Sequence, residues 1–416
     1  MFSLNYLTEL KSDWRRAAAG ALVFLFPIVV ATTNGGGSIV YTLLLLLGFW
    51  LGRGWRGLDG WEKALMLGFV LVVAVNALSL VNSADLREGW RWVERYLRIA
   101  LMIPLYLMLR RYGWALGREL VAGAMLATVV MMGQGWYQVA IGNQDRASGF
   151  YHWIVFGDLV VLWGAIALVY WLTAAKTRWN TLATAAALAA AGYASLLTMT
   201  RGAWLFLPVF LGLLLVLYGK ALWADRRVAV ALLAALLAGG WLAWQSERVQ
   251  RGIGEGMHDI EVFMQQPEAA TSWGIRLNLW RNSLLLAAEH PLLGTGLGDF
   301  HADMKRMAAD GTSWSPGVAE YGHAHSIYFH SLATSGLLGL VAMVAAYLVL
   351  PFVYFYRRWR VAGPGWPAFY ALGGLVAVTA FAVFGVSEAL WARNPFVNSY
   401  VVTMAVLMAG SNNVKR

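Results

Sequence analysis

Long apolar runs separated by short polar breaks occupy most of the chain. A bilayer core about 30 Å thick needs roughly 20 apolar residues per transmembrane helix. Twelve runs approach that length, at residues 17–33, 38–52, 62–82, 97–110, 119–140, 153–173, 179–199, 203–219, 228–245, 327–355, 366–388 and 395–410. The pattern predicts an all-α integral membrane protein with about twelve transmembrane helices, in which residues 1–416 form a single polytopic membrane domain.

One long segment, residues 246–326, contains no run of membrane length. Structureless loops of this size are uncommon in compact proteins. Its first part has the composition of helices, and Pro291 followed by Gly294, Gly296 and Gly298 indicates a turn after the last of them. We therefore expect a long helical loop that folds as a cap over the membrane helices.

A shorter stretch, residues 85–98 (DLREGWRWVERYLR), combines arginines with large apolar side chains. At helical spacing the arginines form one stripe and the apolar residues another, namely Arg87, Arg91, Arg95 and Arg98 against Trp90, Val93 and Leu97. Such an amphipathic helix is suited to a membrane surface. It either anchors the protein to anionic headgroups or docks a phosphorylated lipid substrate.

Composition and charge placement set the class and the orientation. With 59% hydrophobic and 13% charged residues, the chain is not an ordinary soluble protein. Basic residues cluster in alternate interhelical segments, as Lys11, Arg15, Arg16, Arg53, Arg56, Arg111, Arg118, Lys176, Arg178, Lys220, Arg226, Arg227, Arg357, Arg358 and Arg360. The positive-inside rule places these segments and the N-terminus in the cytoplasm, and residues 246–326 in the periplasm. These cytoplasmic basic residues account for most of the +10 net charge. The charge therefore does not indicate a nucleic-acid partner.

Three arginines lie at the edges of apolar runs, where a cation is costly to keep. Arg201, in TMTRGAW, has almost no loop around it, and its planar fork suits bidentate phosphate binding. Arg276, in GIRLNLW, shares a helix face with Trp280 four residues further on. Arg146 is the only basic residue of its outer loop. Each of the three could instead be a surface or snorkelling arginine.

Three histidines stand at the entrance to the run that starts near residue 327, in HAHSIYFHSLATSGLLGL. On a helix His325 would share an inward stripe with Phe329, Leu332 and Gly336, whereas His330 would be turned away and His323 would precede the helix. Histidine titrates near neutrality, so His325 is a candidate general base. A structural histidine and a metal ligand are the alternatives. No acidic residue or third histidine stands at helical spacing to complete a metal site. We therefore expect that the site holds no metal ion.

Other chemistries find little support in the sequence. The chain has no cysteine, which excludes disulfides and thiolate catalysis. The turn GTGLGDF, residues 294–300, does not match a phosphate-binding P-loop. A G-x-S-x-G nucleophile elbow is also absent, so a serine hydrolase is not expected.

Four motifs in order, RASGFYHWIVFGDL, TMTRGAWL, GIRLNLWRNSLLLAAEHPLLGTGLGDF and HAHSIYFHSLATSGLLGL, give residues 146–340 a resemblance to the bacterial O-antigen ligase and polymerase superfamily. The resemblance implies a metal-independent glycosyltransferase of the multi-membrane-helix (GT-C-like) class without a cofactor. The family histidine falls on His325, as general base, and its arginines fall on Arg146, Arg201 and Arg276. Ser326 stands where the family has an asparagine, and Thr334 replaces an acidic residue.

Ligases of this superfamily move a glycan from undecaprenyl pyrophosphate to the lipid A–core oligosaccharide, at the periplasmic face of the Gram-negative inner membrane. The resemblance implies the same reaction here, as a single displacement with inversion. Arg87, Arg91, Arg95 and Trp280 are assigned to docking of the acceptor or a lipid phosphate. The superfamily's glycan polymerases, which often divide their outer residues between two long loops, and its protein O-oligosaccharyltransferases are the near alternatives. A lipid flippase or transporter would predict inverted repeats and broken helices, and the sequence shows neither.

Overall fold

The computed structural model describes residues 13–55, 57–174, 177–224 and 244–412. These residues form helices and no strand. The helices are α1 (Trp14–Thr32), α2 (Gly36–Leu51), α3 (Gly60–Leu78), α4 (Leu86–Ala100), α5 (Met102–Tyr112), α6 (Gly117–Trp136), α7 (Trp153–Thr173), α8 (Arg178–Thr198), α9 (Arg201–Ala224), α10 (Glu247–Gln265), α11 (Ser272–Glu289), α12 (Phe300–Ala309), α13 (Ile327–Val344), α14 (Leu350–Trp359), α15 (Trp366–Ser387) and α16 (Asn394–Asn412). Short 3-10 helices cover Ser79–Asn82, Pro316–Glu320 and Leu390–Ala392.

The predicted fold class, an all-α integral membrane protein, is confirmed. Within the described residues, eight helical spans are long and apolar enough to cross a membrane, and each coincides with a predicted run. They are Trp14–Thr32, Gly60–Asn82, Gly117–Ile141, Trp153–Thr173, Arg178–Thr198, Arg201–Tyr218, Ile327–Trp359 and Trp366–Ser387.

The other four predicted runs fare differently. The run 38–52 is the shorter apolar helix α2, the run 97–110 is divided between α4 and α5, and the run 395–410 lies in α16. The run 228–245 lies almost entirely outside the described residues.

Helix α16 is the centre of the bundle. Its residues from Pro395 to Asn412 are buried, and it packs against α1, α2, α4, α5, α6 and α15. Because its neighbours are helices rather than lipid, it carries polar side chains such as Asn398, Ser399 and Thr403 on a moderately apolar sequence.

Polar contacts join the helix ends at the side of the bundle far from residues 246–326. The buried Glu62 carboxylate accepts a hydrogen bond from Arg110 Nε at 2.9 Å and another from Asn412 Nδ2 at 2.8 Å. Arg358 donates to Asp59 at 2.7 Å. Helix α13 begins directly after residue 326 and its continuation α14 ends next to Arg358, so these contacts lie at the opposite end. The described basic segments near residues 53–61, 111–118 and 356–365 therefore meet at one end of the bundle.

Helix α4 packs on the bundle through one face. Its buried side chains include Trp92, Val93 and Tyr96, whereas Trp90 and Leu97 are 58% and 46% exposed. Of the predicted apolar stripe, only Val93 is buried, because packing against α3 and α16 selects the face that holds Trp92 and Tyr96. Trp90 and Leu97 remain available for contact with lipid.

Residues 246–326 form the cap, which consists of α10, α11, α12 and the 3-10 helix Pro316–Glu320. It has a small apolar core of its own, made by Ile275, Leu279, Leu286, Phe300, Met304, Met307 and Val318, and this core packs onto Ala324 and Ala333. Helix α11 ends at Glu289, immediately before the turn that Pro291 predicts.

Helix α13 is broken at Gly336, where φ is 64° and ψ is −164°. Residues 291–296 of the cap, which we call the cap turn, occupy the break. The amides of Thr295 and Gly296 donate to the carbonyls of Ala333 and Thr334 at 2.9 and 3.2 Å, on one side of it. On the other side, the amides of Leu337 and Leu338 donate to the carbonyls of Pro291 and Leu292 at 2.8 and 3.2 Å. The expectation that no membrane helix is broken is wrong, because backbone pairing of this kind has no signature in apolar periodicity.

The end of the cap turn also fixes the start of α4. Asn82 Nδ2 donates to the carbonyl of Gly294 at 2.8 Å. The Asp299 carboxylate accepts from the amides of Ala84 and Asp85 at 2.7 and 2.8 Å. The cap is thus attached by hydrogen bonds to both α13 and the α3–α4 connection.

We predict that Gly336→Ala destabilises the protein severely. A Cβ at this position would lie 2.3 Å from the carbonyl carbon of Leu292, and the φ of +64° is strained for alanine. Backbone strain of this kind alone costs about 1–3 kcal/mol. Thermal unfolding in detergent should show a much lower midpoint or no folded protein. Gly192→Ala in α8 is the matched control, since nothing lies within 4 Å of its Cβ position. A Gly336→Ala protein as stable as the control would contradict the interlock.

Candidate active site

A cavity of about 1130 Å³ opens between the cap and the adjoining ends of the membrane helices. Four of the residues singled out from the sequence line it: Arg146, Arg201, Arg276 and His325. They come from the α6–α7 connection, the first position of α9, helix α11 of the cap and the segment before α13. The fold therefore brings together three arginines and one histidine that are distant in the sequence.

Arg201 and Arg146 meet carboxylates of α10. Arg201 Nη2 lies 2.7 Å from Glu255 Oε2, and Arg201 Nη1 lies 3.7 Å from Asp259 Oδ2. Arg146 Nη2 lies 3.6 Å from the same Glu255 oxygen. The Arg146 guanidinium also stands over the Trp153 ring, 5.6 Å from its centre. Neither Glu255 nor Asp259 was identified from the sequence, because acidic residues of a polar segment are usually solvated.

Arg276 is a cation without an anionic partner among the described residues. Its Nη1 donates to the Ser272 carbonyl at 3.2 Å and to Ser272 Oγ at 2.8 Å, whereas its buried Nε has no hydrogen-bond partner. Burial lowers the pKa of the guanidinium below its ordinary value. A partly desolvated arginine that lines a cavity is suited to an anionic ligand.

His325 precedes helix α13 instead of lying on it. The helix begins at Ile327, and His325 has a φ of 47°, in the left-handed region that non-glycine residues rarely adopt. The predicted helical stripe through His325 is therefore wrong, although the side chain does line the cavity. Its amide donates to His323 Nδ1 at 3.3 Å. Such strain persists only where the surroundings impose it, and it is frequent at functional sites.

Glu388 is the charged partner of His325. Its Oε2 lies 3.4 Å from His325 Nδ1, which leaves Nε2 of the ring for the cavity. Arg393 Nε lies 3.6 Å from Glu388 Oε1, and the carboxylate is fully buried at the end of α15. Burial opposes ionisation, but His325, His323 and Arg393 outweigh it and lower the pKa of Glu388 to about 2.

Sequence analysis missed Glu388, although one signal was available. It is the only acidic residue between Trp366 and Gly410, at the edge of an apolar run, where an ionisable group is costly to keep. Its distance from the histidine motif along the chain concealed the pairing.

His323, His325 and Glu388 are the described residues that could together hold a metal ion, since their ligand atoms lie within 4.8 Å of one another. Helical spacing along the histidine motif does not reveal this group, because its acidic member follows the end of α15. A tetrahedral zinc site with bonds near 2.1 Å needs ligand atoms about 3.4 Å apart. The group would have to contract, and Glu388 already has Arg393 beside it.

The remaining predicted site residues lie outside the cavity lining. Arg91 pairs with Glu88 at 2.7 Å, Arg95 stands over the Trp92 ring at 4.4 Å, and Arg87 is exposed on the same helix, α4. Helix α4 does not contribute to the cavity.

Trp280 supports the segment that carries His325. Its Nε1 donates to the Ala324 carbonyl at 3.0 Å, and its ring stacks on Phe329 with centres 4.9 Å apart. His330 is buried between Trp92 and Phe300, with ring centres 4.3 and 5.1 Å away, and both of its ring nitrogens lack a hydrogen-bond partner. His330 thus contacts Trp92 and Phe300 and does not line the cavity.

His152 is a further histidine of the cavity that sequence analysis did not single out. Its Nδ1 accepts a hydrogen bond from the Ile154 amide at 3.2 Å and caps α7, so the ring proton of the neutral form resides on Nε2. Burial, with Arg393 in the vicinity, lowers the pKa of His152 to about 4. It is therefore a neutral hydrogen-bond donor at physiological pH.

Two comparisons with known proteins bear on the family of this chain. Residues 184–344 match the model of a family described as O-Antigen ligase. This match supports an O-antigen ligase family member. The resemblance inferred from the motifs is confirmed, and the matched range contains Arg201, Arg276 and His325. An uncharacterized protein of Haemophilus influenzae is 23% identical over 303 residues, which cover 71% of this chain and 73% of that protein.

We predict that folding stability falls as the pH is lowered from about 6.5 to about 4.5. Burial lowers the pKa of His323 to about 4, as it does for His152, so both stay neutral in the folded protein. The unfolded chain takes up protons on them near pH 6.5, and the folded protein does not. Unfolding midpoints in detergent across this pH range measure the effect. The contribution of Glu388 is lost only below about pH 4.5, toward its folded pKa of about 2.

In His323→Asn the slope of stability against pH should be smaller, because asparagine takes up no proton in this pH range. Its amide oxygen can replace the ring nitrogen as acceptor for the His325 amide. His290→Asn, at an exposed histidine of the cap, is the control and should leave the slope unchanged. An unchanged slope in His323→Asn would show that this histidine is not held neutral.

Proposed function

We propose that this protein is an O-antigen ligase, which transfers a glycan from undecaprenyl pyrophosphate to a lipid A–core oligosaccharide at the periplasmic face of the inner membrane. The observation that carries the proposal is the convergence of Arg146, Arg201 and Arg276 with His325 in one cavity at the end of a membrane bundle. Phosphate-binding cations and a titratable ring are the groups that such a transfer requires.

The arginines bind the pyrophosphate of the donor. As the bond from the sugar C1 to the pyrophosphate oxygen breaks, negative charge grows on the leaving group, and guanidinium groups aimed at it lower the barrier. Arg276 supports this role most directly, because it lines the cavity and its guanidinium forms no ion pair with a carboxylate of the described residues. With three arginines at the site, the reaction needs no metal ion or cofactor.

His325 acts as the general base. Glu388 lies at Nδ1, so Nε2 can accept the proton of the acceptor hydroxyl as its oxygen attacks C1. One C–O bond forms, one breaks, the proton moves to His325, and undecaprenyl pyrophosphate leaves. Glu388 stabilises the imidazolium that results. Because the acceptor oxygen attacks C1 directly, we propose a single displacement with inversion.

The orientation follows from charge. The described basic segments gather at the end of the bundle opposite the cap, and the positive-inside rule assigns that end to the cytoplasm. The cap, residues 246–326, and the cavity beneath it then face the periplasm. One long outer segment, rather than two, favours a ligase over a polymerase of the same superfamily.

We predict that deletion of the gene abolishes attachment of long glycan chains to lipid A–core, while polymer accumulates on the lipid carrier. Gel analysis of lipopolysaccharide, together with extraction of carrier-linked glycan, measures both effects. The full-length protein supplied on a plasmid should restore the attachment of long glycan chains to lipid A–core. Attached but unusually short chains in the deletion strain would instead identify a polymerase, and normal lipopolysaccharide with an unmodified protein glycan would identify a protein glycosyltransferase.

His325→Ala should reduce transfer to purified acceptor by about 10²–10⁴-fold, as expected for loss of a general base. His330→Phe is the matched control and should keep substantial activity, because the ring nitrogens of His330 have no hydrogen-bond partner. Donor binding should survive both substitutions. If the His325→Ala protein keeps full activity, His325 is not the general base. Loss of wild-type activity in EDTA, with recovery on adding a divalent metal, would reassign His325 as a metal ligand.

A further inference from the structure

We infer that Glu255 and Asp259 are positioning residues that occupy Arg201 and Arg146 when no donor is bound and compete with the pyrophosphate for them. The inference rests on the proposed function, since it assumes that these arginines bind a pyrophosphate. It adds a step in which a pair of internal carboxylates is displaced when the donor binds and returns when the product leaves.

The geometry of the pairing makes it exclusive. Glu255 and Asp259 are four residues apart on α10, so both carboxylates lie on one face of the helix. Glu255 Oε2 is shared by Arg201 Nη2 at 2.7 Å and Arg146 Nη2 at 3.6 Å. Asp259 Oδ2 approaches Arg201 Nη1 at 3.7 Å. The N–H groups directed at these oxygens cannot simultaneously form the same bonds with a phosphate.

Glu255 and Asp259 form no ion pair with the third arginine, Arg276. Arg276 has Ser272 and no carboxylate of the described residues as its partner. A donor can therefore meet Arg276 first and then exchange with the carboxylates at Arg201. The two negative charges of Glu255 and Asp259 resemble those of the diphosphate that replaces them, so the exchange leaves the local charge nearly balanced.

Helix α10 is built so that this contact can open. Only Val249 and Gly252 are buried along its 19 residues, so few apolar contacts hold it in place. It contains Gly252, Gly254 and Gly256, and glycine weakens a helix by about 1 kcal/mol relative to alanine. A Cβ at Gly256 would lie 3.2 Å from Arg201 Nη1, so the absence of a side chain there lets the guanidinium lie against the helix.

Removing the charges of Glu255 and Asp259 should therefore change donor binding and turnover in opposite directions. Without the two charges, pyrophosphate should bind more tightly, because it no longer competes with an internal anion. Release of the undecaprenyl pyrophosphate product should then slow, so kcat falls while the KM for the donor also falls. Simple damage to the site would instead weaken binding.

The test is calorimetric titration of the purified full-length protein with inorganic pyrophosphate. In the double variant Glu255→Gln, Asp259→Asn we expect the Kd to fall by roughly 3- to 10-fold, the range for loss of two partly exposed ion pairs. Glu255→Gln alone should show a smaller shift in the same direction. Glu261→Gln, at an exposed position of the same helix, removes the same charge away from the arginines and should leave the Kd unchanged.

Two contrary results can be told apart. If wild-type protein binds pyrophosphate, Arg201→Lys weakens that binding, and the double variant binds no more tightly, the competition is refuted while the proposed function stands. If neither wild type nor the double variant binds pyrophosphate, both the competition and the pyrophosphate role of the arginines fall. If Glu261→Gln lowers the Kd for pyrophosphate by the same factor, the change in net charge alone explains the tighter binding. That result would also refute the competition.

Discussion

The backbone interlock between the cap turn and the break in α13 holds the site together. The break frees amide and carbonyl groups of a membrane helix, and such groups must be satisfied within the protein. The carbonyls of Pro291 and Leu292 and the amides of Thr295 and Gly296 do this, so the cap cannot leave without exposing them. Arg276 lies on the helix that precedes the cap turn, and His325 lies just before α13. The interlock thus joins the parts of the chain that carry these two residues.

The charge distribution of the protein serves two purposes that conflict. Topology requires basic residues at the end opposite the cap, yet the site requires them at the cap end. Arg146, Arg201 and Arg393 are the exceptions in the short outer loops, and each lies next to a carboxylate. Pairing with Glu255, Asp259 or Glu388 offsets the cost of a cation at the membrane edge. The carboxylates that accompany the exceptional arginines are thus part of how the site is kept stable.

The histidine pair shows how burial tunes two similar rings differently. His323 is neutral because it is buried and its Nδ1 accepts the His325 amide. His325 instead has the ionised Glu388 at its Nδ1 and one nitrogen open to the cavity. The cavity lining includes His325 and not His323, which supports the assignment of His325 over the neighbouring ring.

The sequence by itself determined the all-α membrane class, eight of the spans, the helical character of residues 246–326, the resemblance to the O-antigen ligase family, and Arg146, Arg201, Arg276 and His325 as candidate residues. These follow from local properties, namely apolar length, charge placement and short motifs, which each segment carries on its own. The tertiary structure alone decided the break at Gly336, the buried face of α4, the position of His325 ahead of its helix, and the partners Glu388, Glu255 and Asp259. Each of these depends on which segments meet in space, and a carboxylate far along the chain leaves no periodic signal at the residue it will contact.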